Sequence, residues 1–208
     1  MKKTFISLLA AAAAMPALAD VPLWLRDAAI SNDGSEIAFT YKGDIYTVPV
    51  SGGKARQITT DKAFDSKPLW TPDSKSIVFS STREGSPDIF ICNAAGGNVR
   101  RLTTHSGNET PLGFSPEGKL LFSANIRPAE DAIQGPFQTQ LYSVETDRPD
   151  ARPKMEMSVQ MRALSYNRQG DMLYEDKKGY EDPLRKHERS SGTSDIWMVS
   201  GDKFTKLT

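Results

Sequence analysis

Few residues of this 208-residue sequence could carry nucleophilic, acid–base or metal chemistry. It contains one cysteine, Cys92, and two histidines, His105 and His187. One cysteine excludes an intrachain disulfide framework and a four-cysteine zinc site, and two histidines leave little room for a histidine-based metal centre. The sequence also has no Gly-x-Ser-x-Gly turn and no His-Glu-x-x-His pair. We therefore assign no catalytic residue, no cofactor and no metal ligand, and we interpret Cys92, which follows Ile91 in an apolar run, as a packing residue.

Acidic residues recur at equivalent positions, which indicates architecture rather than catalysis. Asp44, Asp88 and Asp195 each precede an isoleucine and an aromatic residue. We expect these carboxylates to accept hydrogen bonds from backbone donors at the start of a strand. The Asp-Gly and Pro-Asp-Ser segments at 33–34 and 72–74 are typical of turns, and they lack the alternating carboxylates of a calcium loop.

Most of the sequence after residue 20 is one unit repeated four times. An element with a turn followed by β-branched and aromatic residues occurs at 30–39, 70–79, 114–122 and 166–174, and each copy is followed by a second apolar element. Each copy contains enough alternating apolar runs and turns for four short strands, the content of one propeller blade. The sequence predicts an all-β fold, a β-propeller with four visible blades at about 26–60, 66–104, 111–155 and 162–208. A β-sandwich is the competing fold, but it would not explain the copying of whole four-strand units.

Two insertions lengthen the third and fourth copies at the same place. They lie at 126–137 and 175–194, between the second and third strands of their blades. Because equivalent hairpins emerge on one face of a propeller, the second insertion is a candidate peptide-binding or partner-binding loop, with Tyr180, Arg185, Lys186 and His187 as its candidate residues. A solvated surface loop explains the same segment equally well, and both interpretations stay open.

The first residues have the pattern of a secretory signal peptide. Lys2 and Lys3 precede a short apolar run that ends in Ala17-Leu18-Ala19. This pattern predicts cleavage after residue 19, export to the periplasm of a Gram-negative source or to the medium, and no stable membrane insertion after cleavage. The 26 basic and 26 acidic residues balance, which argues against a nucleic-acid partner.

The repeated unit resembles the WD-like propeller repeat shared by TolB and the tricorn proteases. The resemblance rests on segments such as Gly43-Asp44-Ile45-Tyr46 and Gly52-Gly53 followed by Gln57-Ile58-Thr59, and it covers essentially all of 21–208. Residues 22–26 and 180–197 are similar to exported tricorn-like serine peptidases.

The resemblance implies the propeller portion of an exported serine-type peptidase. Such a propeller would belong to a ring of six or seven blades, and it would bind or gate peptide or protein substrates for a catalytic domain outside these residues. The full-length protein could form a homo-oligomer. Two alternatives stay open: a non-enzymatic TolB-like scaffold, and the propeller of a dipeptidyl-peptidase-type hydrolase.

Overall fold

The computed structural model describes residues 24–105, 107–126, 139–177 and 194–208, and within these ranges every regular element is a β-strand. The predicted signal peptide and most of both insertions lie outside the described residues. The strands form four antiparallel sheets of four, each built from consecutive strands in chain order. In chain order the strands are β1 (Arg26–Ile30), β2 (Glu36–Tyr41), β3 (Asp44–Pro49), β4 (Arg56–Gln57), β5 (Asp65–Trp70), β6 (Ser76–Ser81), β7 (Asp88–Asn93), β8 (Arg100–Arg101), β9 (Glu109–Phe114), β10 (Leu120–Ala124), β11 (Gln140–Val144), β12 (Lys154–Met157), β13 (Met161–Tyr166), β14 (Met172–Lys177), β15 (Ser194–Ser200) and β16 (Lys203–Lys206).

The turn between the first two strands of a blade is held by a buried hydroxyl and an aspartate. In the second blade, the Thr71 hydroxyl donates to Asp73 Oδ1 at 2.7 Å, and the Lys75 N–H donates to the same oxygen at 3.1 Å. In the first blade, Ser31 and Asp33 make the equivalent contact at 2.6 Å. The predicted turns are therefore confirmed as structural, because their carboxylates are occupied by hydrogen bonds within the turn.

The first strand of each blade lies closest to the propeller axis. β1 packs beside β5, β5 beside β9, and β9 beside β13. Each of the four pairings between a first and a second strand contains a register shift. In the first two blades the irregular segment includes a residue with positive φ, Asp27 at 52° and Lys67 at 53°. Such bulges bend a strand and increase its twist, which suits strands that crowd around an axis.

Successive blades pack face to face through alternating apolar residues. We call the face toward the following blade the trailing face and the opposite face the leading face. Between the first and second blades, Ala38 and Ile45 of a trailing face pack with Phe79 and Phe90 of a leading face in one buried cluster. The next two interfaces form separate buried clusters of the same kind. Stacked aromatic pairs recur on the leading faces, with ring centroids 6.1 Å apart for Phe79–Phe90 and 5.7 Å for Phe122–Tyr142.

The trailing face of the fourth blade has no described neighbour. Ile89 of the second blade is 0% exposed, whereas its repeat equivalent Ile196 is 40% exposed. In the part of the chain that the structure describes, β1 and β13 do not pack on each other as successive first strands do. The predicted all-β propeller with four blades is confirmed, and its membership of a larger ring stays an expectation.

Candidate functional site

The insertions leave the propeller at one edge, which we call the loop edge. Here the second and third strands of the blades end at paired residues, Tyr41 with Asp44, Ser81 with Asp88, Ala124 with Gln140, and Lys177 with Ser194. The connection is two residues long in the first blade, and it lengthens in the later ones. The candidate residues Tyr180, Arg185, Lys186 and His187 follow the second strand of the fourth blade, and they lie outside the described residues.

A repeated network of aspartate, threonine and a fourth-strand side chain supports the loop edge. In the first blade, Asp44 accepts hydrogen bonds from Gln57 Nε2 at 3.0 Å and from the Thr59 hydroxyl at 3.3 Å. Thr59 Oγ1 in turn accepts the Ile45 N–H at 3.0 Å. In the second blade, Thr103 Oγ1 accepts the Ile89 N–H at 2.9 Å. The network therefore fixes the end of the first and second blades to the start of their third strands.

This network corrects the role that the sequence suggested for the repeated aspartates. Asp88 and Asp195 bind cations of the fourth strand, Arg101 at 2.8 Å and Lys206 at 2.9 Å. The backbone donors at the strand starts go instead to threonine hydroxyls, as Ile196 N–H does to Thr208 at 2.8 Å. A hydroxyl both accepts and donates hydrogen bonds, so it can connect a backbone N–H to a carboxylate. An ionised carboxylate only accepts, and its strongest hydrogen bonds are with cationic donors.

Asp65, at the start of the second blade, is fully buried and neutralised by Arg83. One guanidinium nitrogen, Nη2, donates to both carboxylate oxygens, at 3.0 and 2.9 Å, and Nε donates to the Ser81 hydroxyl at 2.9 Å. The guanidinium also lies 4.7 Å from the Phe90 ring centroid and 5.5 Å from that of Phe79. This arrangement satisfies a buried ion pair and joins the first strand to the stacked rings.

Glu109 occupies in the third blade the position that Asp65 occupies in the second blade, but its environment is different. Its carboxyl is fully buried and receives the Thr103 hydroxyl. Burial raises the pKa of Glu109 to about 7, although the Thr103 hydrogen bond opposes that rise. The sequence analysis missed this residue. Aligning the repeats would have revealed it, since Glu109 aligns with Asp65.

The described residues contain no assembled catalytic or metal centre. His105 is half-buried, and its Nδ1 accepts the Gly107 N–H at 3.0 Å. Burial raises the pKa of Cys92 to about 11, so its thiol is unreactive, and it packs in the first interface as the sequence predicted. Within the described ranges, no group of three or more histidine, cysteine, aspartate or glutamate side chains could hold a metal ion. In those ranges we also find no helix with the length and apolar character needed to cross a bilayer.

Four antiparallel blades with lengthened connections at one edge define a β-propeller module, and the comparisons with known proteins specify which one. Residues 22–208 match the model of the tricorn protease N-terminal β-propeller domain. This chain belongs to that family.

Individual relatives match parts of the chain. Tricorn protease homolog 1 of Streptomyces coelicolor is 31% identical over 58 residues, which cover 28% of this chain and 5% of the relative. The Tol-Pal system protein TolB of Bordetella pertussis is 45% identical over 47 residues, which cover 22% of this chain and 11% of TolB. The crystal structure of the tricorn protease superposes with a TM-score of 0.65 at 24% identity, covering 89% of this chain and 18% of the other, and this likeness shows the fold alone. The chain thus matches only a small part of each of these proteins.

Proposed function

We propose that these residues are the propeller portion of an exported serine-type peptidase. In this proposal the propeller binds or gates peptide substrates, and the catalytic domain lies outside the 208 residues. The observation that carries the proposal is the match of 22–208 to a tricorn protease propeller domain.

The geometry supports a binding role at the loop edge rather than a catalytic role. The two longest connections start and end at this edge, at Ala124 and Gln140 in the third blade and at Lys177 and Ser194 in the fourth. Side chains of the fourth strands bind the repeated carboxylates of the first, second and fourth blades, so the rigid part of the edge offers a scaffold for variable loops. Arg185 and Lys186 in the second insertion would supply positive charge for a peptide's carboxylates or carbonyl oxygens.

Peptide binding can be measured by fluorescence anisotropy with the full chain and fluorescein-labelled peptides from a casein digest. We expect saturable binding and no cleavage. The double variant Arg185→Ala/Lys186→Ala should weaken binding at least several-fold, because it removes both charges from the loop. The matched control is Arg148→Ala/Lys154→Ala, which removes one arginine and one lysine from the exposed surface at the opposite edge.

Three outcomes separate the interpretations. Equal weakening by both double variants would mean that net charge, not the loop, determines binding. Absence of binding to any labelled peptide would contradict the proposal. Cleavage of the peptides by the isolated chain would show that the catalytic group lies within these residues after all.

A non-enzymatic scaffold is the second candidate, and the TolB identity of 45% over 47 residues favours it. A scaffold would bind a folded protein rather than an unfolded peptide. Unlabelled native proteins of the same compartment should then compete with each other for binding to the chain. Adding them should leave the anisotropy of the labelled peptides unchanged. The predicted signal peptide can be tested in either case with a reporter fused after residues 1–19. The reporter should be translocated across the membrane.

A further inference from the structure

The interface between the second and third blades buries two carboxyl groups beside one arginine. Asp88 and Glu109 are both 0% exposed, and the Glu109 carboxyl lies within hydrogen-bonding reach of Asp88. Arg101 Nη2 donates to Asp88 Oδ2 at 2.8 Å. If both carboxyls were ionised, the interface would hold one uncompensated buried negative charge, which is strongly unfavourable in a protein interior.

Comparison of the repeats shows why none of the described residues gives Glu109 a cation of its own. The equivalent Asp65 is neutralised by Arg83 and is accompanied by Ser81. In the third blade the residues that align with Ser81 and Arg83 are Ala124 and Ile126. The second blade therefore brings a cation to this position, and the third blade brings two apolar side chains.

The hydrogen bonds around Asp88 and Glu109 leave two carboxyl oxygens without a donor. In the first blade, the Thr59 hydroxyl donates to Asp44 Oδ1. In the second blade, the equivalent Thr103 hydroxyl donates to Glu109 Oε2 instead. Among the described residues, Asp88 Oδ1 and Glu109 Oε1 then have no hydrogen-bond partner although both atoms are buried, and the buried Arg101 Nε is unpaired as well. A single proton on Glu109, donated to Asp88 Oδ1, satisfies both oxygens and removes the excess charge.

We propose that Glu109 and Asp88 share one proton across this interface, which makes it a pH-sensitive junction of the propeller. Below neutral pH the proton binds the two blades together. As the pH rises through neutrality the proton is lost, the pair becomes doubly charged, and the junction between the second and third blades weakens.

The other charged groups that the structure describes around Glu109 do not replace this proton. Asp88 on β7 and Arg101 on β8 are the titratable groups that act on it, while β6 contributes the uncharged Ser80, whose hydroxyl donates to the Glu109 carbonyl. On the neighbouring first strands, Asp65 of β5 is paired with Arg83, and Arg162 of β13 is paired with Glu175. Lys67 of β5 is exposed to solvent.

The sign of the pH dependence follows from linkage. The pKa of Glu109 is about 7 in the folded chain, and a glutamate in an unfolded chain titrates near 4.3. Between these values the folded state binds more protons, so stability falls as the pH rises. The equilibrium constant for unfolding should increase by up to about tenfold per pH unit in this window and level off above it.

Urea denaturation of the full chain at pH 5 to 8 tests the proposal. Glu109→Gln keeps the shape of the side chain and can donate a hydrogen bond to Asp88 at every pH. The unfolding constant of this variant should therefore lose the dependence on pH, and the variant should be more stable than the wild type at pH 8. The double variant His105→Asn/His187→Asn, which removes both histidines of the sequence, is the control, and it should keep the dependence. Asp65→Asn is the matched control for a buried carboxyl, and it should lower stability while leaving the slope unchanged.

A direct measurement keeps the proposal testable even if a variant fails to fold. In the wild-type chain, the Glu109 carboxyl carbon observed by NMR should show a protonated group at pH 6 that titrates near neutrality. Titration near its ordinary value of about 4.3 would overturn the proposal, as would parallel denaturation curves for the wild type and Glu109→Gln. A shift of the titration by calcium chloride that is reversed by EDTA would also overturn it, because a cation would then occupy the place of the proton.

Discussion

Arg83 contacts three different groups of the second blade. It neutralises Asp65, donates to Ser81, and covers the stacked rings of Phe79 and Phe90. Because the planar guanidinium makes these contacts together, a lysine would preserve the charge but not the geometry. A single side chain thus links the axis-facing strand of the second blade to its apolar core.

Replacing Arg83 with alanine should therefore lower the free energy of unfolding by about 3–5 kcal/mol, the usual cost of leaving a buried charge unpaired. Arg83→Lys should recover only part of this loss. Urea denaturation at pH 7 measures both variants. Arg148→Ala is the control, since Arg148 is exposed and its surface ion pairs should contribute little to stability. Equal effects of Arg83→Ala and Arg148→Ala would contradict the buried pairing.

Replacing Thr59 should also destabilise the fold, but by less than replacing Arg83. Thr59→Val keeps the volume but removes the acceptor for the Ile45 N–H, so we expect a loss of about 1–3 kcal/mol from the buried unpaired donor. Thr59→Ser should restore most of it. The exposed neighbour provides the comparison, because Thr60→Val should be nearly neutral. Thermal unfolding of the three variants distinguishes a structural hydroxyl from a general effect of the substitution.

At the scale of the element, the hairpin turns explain why the repeat survives so clearly in the sequence. A hydroxyl, an aspartate two residues later and a backbone N–H two residues further on form one closed set of hydrogen bonds, as in Thr71, Asp73 and Lys75. The fourth blade reaches the same result with Asn167, whose side-chain oxygen accepts the N–H groups of Gln169 and Asp171, each at 2.9 Å. Different residues are therefore tolerated when they supply the same acceptor.

The turn aspartates should make the protein sensitive to acid. The Thr71 hydrogen bond, followed by that of the Lys75 N–H, lowers the pKa of Asp73 below its ordinary value of 3.8. Its stabilising effect is present above that value and is lost as the pH falls through the lower folded-state pKa. Asp73→Ala should lower stability at pH 7 by roughly 1 kcal/mol and reduce the further loss below pH 4. Circular dichroism during acid titration can follow this, with the exposed Glu84→Ala as the control; identical acid curves for Asp73→Ala and the wild type would contradict it.

The sequence predicted these elements well because their signals are local. Turn residues and short apolar runs lie within ten residues of each other, so the four copies and their strands could be found without knowledge of packing. The strand bulges at Asp27 and Lys67 were not predicted, since they depend on crowding around the axis. The Glu109 and Arg83 environments were also missed, because each is defined by side chains from different strands or blades.

At the scale of the whole molecule, each blade depends on its neighbours. Buried clusters join the first blade to the second, the second to the third and the third to the fourth. Equivalent residues consequently differ in burial according to the position of their blade, as Ile89 and Ile196 do. The local stability of a blade should depend in the same way on its position, because it is the sum of the blade's own contacts and of those with its neighbours.

The pair Ile89 and Ile196 tests whether a further blade covers the fourth one. In the 208-residue chain, Ile89→Ala should cost about 2–5 kcal/mol, whereas Ile196→Ala should cost less than about 1 kcal/mol. In a longer gene product with a completed ring, the two costs should become similar. Denaturation of both variants in both proteins provides the measurement. A large cost of Ile196→Ala in the 208-residue chain would indicate that another surface already covers this face.

The networks beneath the loop edge also have a practical consequence for engineering. In the first blade, Asp44, Gln57 and Thr59 close the base of a two-residue hairpin, and Lys42 and Gly43 at its tip adopt φ values of 51° and 89°. The tip also contacts the second blade, because the Gly43 carbonyl accepts the Asp65 N–H at 2.8 Å, so this hairpin should accept a grafted epitope or affinity tag of the length that the third blade already accommodates only if Gly43 and that hydrogen bond are kept. Such a chimera would display a foreign segment at the edge from which the natural insertions leave the propeller.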